Sequence, residues 1–341
     1  MITPTSLDRF EQELDAELRT AVGDAKSPLN DMIRFQMGWN DQMGMPTLHR
    51  STERPHAALC LLAAEAVGGD PLQAMPAAAA VELANAFWEI HEDVRRGNPG
   101  ASERPTLWWL WGNSQGINAG DGVYSLSRLT LMELRNRDVP AGTVASVLDV
   151  LDTVCLTRSE GRYRDVESDN GPDVAPEAYV DNLDASGGAL TGGASRIGAM
   201  VGGAAQPVAE AFDLFGRRLG AAWRIRREVD SLWGHATGNG PSLVEALDGA
   251  ATLPVLFAYA RAKGSDLERL QALSRREELL TDEALAETLD LLERLGAKEY
   301  AETQIEARVA DALGALEGQG FSPGLRDELA AMVHYLADGP G

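Results

Sequence analysis

Ala and Leu dominate the stretch from Pro55 to His91, β-branched residues are few in it, and Gly68-Gly69-Asp70-Pro71 interrupts it once. That pattern predicts helices buried against other helices, because Ala and Leu carry little helix cost and strand signals are scarce. Further along, Leu285, Leu289 and Leu292 recur at helical spacing between Thr281, a good first-turn cap, and Gly296, a good stop. Ser322 followed by Pro323 reads as another helix start. Breakers at Gly97-Asn98-Pro99-Gly100, Gly171-Pro172 and Gly238-Asn239-Gly240-Pro241 separate such segments, and no tandem repeat appears. The expectation is an all-α chain with one helical domain over 26–341, preceded by a disordered or loosely helical extension over 1–25.

The segment from Ser186 to Pro207 departs from the rest, with glycine pairs at 187 and 188, 192 and 193, and 202 and 203. Its Gly, Ser, Thr and internal Arg196 make it a poor membrane span, so no integral membrane segment is expected. A close-packed core helix fits better, since glycine lets two backbones approach at about 1 kcal/mol of helix preference per residue.

Composition narrows the partners. A formal charge of −22 over 341 residues argues against nucleic acid and anionic lipid, both of which call for a basic surface. Cys60 and Cys155 stand far apart without other metal-like ligands nearby, so buried free thiols are expected rather than a disulfide framework or a zinc site. The charged, amphipathic start MITPTSLDRFEQEL lacks the apolar stretch of a secretory signal, which reads as cytoplasmic.

Six runs then fall in a telling order. Ala63-Ala64-Glu65-Ala66-Val67-Gly68-Gly69-Asp70 leads through Pro76–Glu82 to Ile90-His91-Glu92-Asp93; Arg104-Pro105-Thr106-Leu107-Trp108 and Trp111–Asp121 follow. Glu160-Gly161-Arg162-Tyr163-Arg164-Asp165 and Thr252-Leu253-Pro254-Val255 complete the series. Together they resemble the polyprenyl synthetase family from about Arg54 to Tyr300. The resemblance implies a single-domain antiparallel helical bundle of the isoprenoid synthase type around a central cavity. It also implies a prenyl diphosphate substrate, Mg²⁺ ions bridging aspartates to the diphosphate, and a homodimer.

The family's charged motifs, carried over position by position, are largely rewritten. Its first Asp-Asp-x-x-Asp corresponds to Glu92, Asp93, Val94, Arg95 and Arg96, and the leading aspartate of its second motif to Arg227, within Trp223-Arg224-Ile225-Arg226-Arg227-Glu228. Carboxylates at i and i+4 share a helix face and can hold one hard cation, and here the later member of the pair is a cation. The family's basic ligands correspond to Arg50–Pro55, Ala101 and Ser102, Ser186 and Gly187, and Gly249–Thr252, with most of the lysines and arginines gone. Ordinary chain elongation is therefore not expected.

The resemblance thus implies an allylic diphosphate ionised by Arg95, Arg96, Arg226 and Arg227 in place of most metal ligands, since guanidinium binds phosphate bidentately and stays charged. Phe87, Trp88, Arg162, Asp165, Trp223 and Arg224 are the expected substrate contacts. Any residual Mg²⁺, reduced in role or dispensable, would rest on Glu92, Asp93, Glu228 and Glu89. The activity implied is that of a terpene synthase or an unusual prenyltransferase. The competing reading is a catalytically silent homologue, regulatory or scaffolding, forming a heterodimer with an active synthase; there Arg96 merely pairs with Glu92 one turn away. Phe87, Trp88, Trp108, Trp109 and Trp111 read equally well as plain core, and His91 as positional.

Overall fold

In the computed structural model, residues 4–47, 53–101, 104–168, 174–234, 243–247, 252–274 and 281–339 are described. The chain begins with α1 (Thr5–Arg9), α2 (Glu11–Val22), α3 (Pro28–Gln36), α4 (Pro55–Ala66) and α5 (Met75–Arg96). A two-residue hairpin follows, β1 (Gly100–Ala101) against β2 (Arg104–Pro105), then α6 (Leu107–Trp111) and α7 (Asn113–Met132). Next come α8 (Ala141–Ser168), α9 (Pro176–Asn182), a π-turn over Leu183–Gly187, α10 (Ala189–Val201) and α11 (Gln206–Trp233). The last are α12 (Leu243–Leu247), α13 (Leu253–Arg261), α14 (Ser265–Ser274), α15 (Asp282–Arg294), α16 (Ala297–Ala315) and α17 (Pro323–Asp338). Apart from that hairpin the described architecture is all-α, as the Ala- and Leu-rich pattern predicts.

The expected helix ends hold where they are described. Thr281 accepts a hydrogen bond from the Ala284 N–H at 3.2 Å and Ser322 one from Leu325 at 3.4 Å, while Gly97 closes α5 in the left-handed region. The breakers at 171–172 and 238–241 lie outside the described residues.

α4 is buried along its length from Pro55 to Ala64, as an all-round apolar helix must be, and α10 packs on it. The glycine-rich segment forms this contact. A Cβ added to Gly198 would lie 1.9 Å from the Cys60 carbonyl oxygen, so only glycine allows that approach. Cys60 and Cys155 are buried free thiols; burial pushes Cys60 up to about 12 and Cys155 up to about 11.

Two expectations are corrected. Residues 4–25 are not a disordered or loosely helical extension, because α2 is a regular helix that buries Leu14, Leu18 and Val22 in the cluster that contains α5. Its apolar positions 14, 18 and 22 lie four apart on one helical face, which the many charges around them obscure. Nor is Trp109 core: it is 60% exposed, while Trp108 donates its indole N–H to the Asn98 carbonyl and Trp111 packs edge-on against Phe35. No helix among the described residues is long and apolar enough to cross a membrane.

Candidate active site

The C-terminal end of α5, the second half of α8, the π-turn and α11 converge on one cleft. At its floor lies a cavity of about 50 Å³, lined by Trp88, Arg158, Arg162, Asn182, Leu183, Ser186, Gly187 and Arg224, with space for a few water molecules. Gly161 makes this possible: a Cβ there would come within 2.1 Å of the Ser186 hydroxyl, so the π-turn could not lie against α8. Single-turn π segments of this kind are frequent at functional sites.

Glu92 stands at the rim among three guanidinium groups. Its Oε1 receives Arg95 Nη2 at 2.9 Å and pairs with Arg96; its Oε2 receives Arg95 Nε at 3.2 Å and Arg162 Nη2 at 2.8 Å. Burial alone would raise this carboxyl, but the Arg95 hydrogen bond and the charges of Arg162 and Arg96 outweigh it and hold Glu92 down at about 2. Neighbouring Asp93 is pushed up to about 6 by burial, against the hydrogen bond from Asn98 and with the help of Glu89 and Glu92.

Deeper in, the arginines crowd one another. Burial and then the nearby charges of Arg162 and Arg224 bring Arg158 down to about 10, and burial with Arg224 and Arg96 does the same to Arg227. Arg158 lies over the Trp88 ring at 5.1 Å and Arg227 over Trp223 at 5.7 Å. His56, buried on α4 against Trp223, is driven down to about 3 by burial and by Arg158 and Arg227, so it is neutral here. Glu89 touches solvent yet is surrounded by protein, as on the wall of a cleft; burial raises its carboxyl although Arg227 and Asn85 oppose this. Like charges held together in this way form a ready site for a polyanion.

Of the expected residues, Arg162, Arg224 and Trp88 line the cavity, Arg227 lies near enough to feel the charges of Arg224 and Arg96, and Arg95 and Arg96 pair with Glu92 at the end of α5. Four calls need correction. Arg226 turns away, its Nε donating to the Ala337 carbonyl at 2.7 Å and its Nη1 lying 3.7 Å from Asp230. Glu228 is fully buried and receives the Tyr179 hydroxyl at 2.7 Å, Arg224 Nε at 3.0 Å and the Leu253 N–H at 2.9 Å, which leaves no face for a cation. Phe87 stacks with His91 and Tyr124 toward α7 and is absent from the cavity lining. Glu92 is saturated by guanidinium, so it does not offer oxygens to Mg²⁺ either. Asp165 lies on α8, but its side chain is outside the described residues.

Among the described residues no group of three His, Cys, Asp or Glu side chains could hold a metal ion. Among the described residues Glu92 and Glu228 are both committed to protein partners, so neither presents a free carboxylate to Mg²⁺. Sequence reasoning missed Arg158 and His56. Arg158 was within reach, since it precedes Arg162 by four residues and so shares its helix face; His56 carries no sequence signal beyond its place in an apolar run.

A helical bundle with an anion-attracting cleft between facing helix ends is the class of structure defined so far. The chain belongs to the polyprenyl synthetase family, whose profile matches residues 42–292. It is similar to the (2E,6E)-farnesyl diphosphate synthase of Mycobacterium tuberculosis, 28% identical over 342 residues covering 99% of this chain and 90% of that protein. A short chain isoprenyl diphosphate synthase of Methanothermobacter thermautotrophicus is 33% identical over 246 residues, covering 72% and 73% of the two chains. Among solved structures, the polyprenyl synthetase from Streptomyces coelicolor superposes with a TM-score of 0.88 at 26% identity, covering 97% of this chain and 98% of that one.

Proposed function

We propose that this chain binds an allylic prenyl diphosphate and ionises it without relying on a full set of metal ligands, as a terpene synthase or prenyltransferase outside the chain-elongating pattern. The observation that carries this reading is that Arg158, Arg162 and Arg224 line one cavity, with Arg227 close enough to feel the charges of Arg224 and Arg96, and that burial and mutual repulsion depress Arg158 and Arg227. In the reaction the allylic C–O bond breaks, its electron pair leaves with the diphosphate, and guanidinium N–H groups stabilise the charge that develops on the departing oxygens. The allylic cation left behind then loses a proton or is captured by an acceptor. The Trp88 ring in the lining offers the cation an aromatic face.

The test is incubation of purified protein with geranyl, farnesyl and geranylgeranyl diphosphates, with Mg²⁺ and with EDTA. Product that persists under chelation is expected; turnover that vanishes with EDTA and returns with Mg²⁺ would overturn the arginine reading. One observation favours the alternative of a silent partner: Glu92 and Glu228 are already satisfied within the protein. Absence of both turnover and calorimetric binding of any of the three diphosphates would move the conclusion to that reading. We also propose pairing with a second copy, supported by exposed Trp109, Ile117, Leu129 and Leu156 on α6, α7 and α8. Sedimentation equilibrium at twice the chain mass checks it.

A further inference from the structure

The cleft holds an anion of its own. Glu92 projects from the last turns of α5, and three guanidinium groups form ion pairs with it, Arg95 and Arg96 from the same helix and Arg162 across the gap from α8. Arg162 also lines the cavity, whose volume of about 50 Å³ admits a few waters and not a diphosphate. Arg162, a donor that would serve a phosphate in the cavity, is therefore tied to the Glu92 cluster.

We infer that Glu92 is a positioning residue that acts as an internal counter-anion: it clasps Arg162 to α5 beside Arg95 and Arg96, and a phosphate group gains these donors only by displacing its carboxylate. This deepens the function proposed above and rests on it. Charge alternation explains why the arrangement holds. Six guanidinium groups in one region repel one another, and a carboxylate at their rim lowers that cost while fixing where the side chains point. A diphosphate offers the same planar forks more acceptor oxygens and a larger total charge than one carboxylate, so it can engage several of these guanidinium groups at once.

This role predicts the opposite sign from a metal ligand. Removing a metal ligand weakens diphosphate binding, whereas removing a competing anion strengthens it. The experiment is calorimetric titration of the full chain with inorganic pyrophosphate in EDTA, using wild type, Glu92→Gln and Glu92→Asp, each checked for a wild-type circular dichroism spectrum. Glu92→Gln is expected to bind about tenfold tighter. Glu92→Asp, one methylene shorter, keeps Arg95 and Arg96 but releases Arg162, and should gain about threefold. If Glu92→Gln fails to fold, Glu92→Asp decides. Wild-type binding with unchanged or weaker binding by the folded variants overturns the role of Glu92 and leaves the functional reading standing. Binding by a variant but not by wild type supports the inference, and binding by none of the three removes the functional reading together with it.

Discussion

The ends of α5 and α11 face each other across the cleft, and each keeps one carboxylate beside arginines, yet the two carboxylates do different work. Glu228 on α11 is fully buried, with a hydroxyl, a backbone N–H and one guanidinium closing around it, and it ties α11 to α9 and α13. Glu92 on α5 keeps 20% of its side-chain surface open and gathers three guanidinium groups, one of which, Arg162, also lines the cavity. A carboxylate with short-range, mixed partners inside a core is architecture; one ringed by cations at a rim is part of an anion site. Residue type alone does not separate them, and the surroundings do.

The sharpest way to break this comparison is to remove both groups in turn. Glu228→Ala strands Tyr179, Arg224 and the Leu253 N–H in the interior, and a loss of roughly 3–5 kcal/mol of unfolding free energy is expected in urea titration. Glu92→Ala removes one counter-charge at the rim and leaves its three guanidinium partners within reach of water, so it should cost less, about 2 kcal/mol in the same assay. Equal losses would erase the distinction between the two ends.

Next in size is the chemistry of the cleft. Arg227→Ala is expected to lower EDTA-resistant turnover of an allylic diphosphate by about 10²–10³-fold, the usual cost of one donor aimed at developing negative charge. Single-turnover rates measure it, and an unchanged rate would show that Arg227 faces no reacting group.

A third carboxylate calibrates the other two. Glu82 lies buried on α5 and accepts the Ala57 N–H at 2.8 Å. Burial pushes it up to about 7, against that hydrogen bond and the charge of Arg54. The folded chain then holds this proton more tightly than the unfolded chain, so its stability contribution is complete below pH 4.5 and is lost as pH rises through about 7. The drop across this window is about 3 kcal/mol. Glu82→Gln should flatten that part of the stability profile, and equal slopes in wild type and variant would contradict the assignment.

What the sequence made legible follows from periodicity and from local rules. Thr281, Ser322 and the glycines around Gly198 announce a cap, a cap and a close helix contact because each acts on its own few neighbours or on a backbone that any close partner would need. The cleft depends on which side of a helix a residue faces. Reading Arg224 to Glu228 as a string put Arg226 beside Arg227, although positions 224 and 227 lie about 60° apart around the helix and position 226 is turned about 160° away from position 224. The same facing rule, applied to α8, would have joined Arg158 to Arg162. The saturation of Glu92 from α8 was out of reach, because an ion pair spanning seventy positions leaves no local trace.

The smallest predicted effect tests that facing argument most directly. Arg226 and Arg227 are adjacent, both cationic and both candidates from the motif, so a rule based on type or order treats them alike. The structure places Arg226 against the Ala337 carbonyl and Asp230, away from the cavity, and Arg227 over Trp223 beside Arg224. Arg226→Ala should therefore cost about 1 kcal/mol of stability, the worth of one hydrogen bond to α17. Its pyrophosphate affinity and turnover should stay within about twofold of wild type, since a charge turned to the far side is screened by solvent. If Arg226→Ala instead matched the loss seen in Arg227→Ala, the cleft would be reading total positive charge rather than the geometry of particular guanidinium groups, and the division between the two faces of α11 would fall.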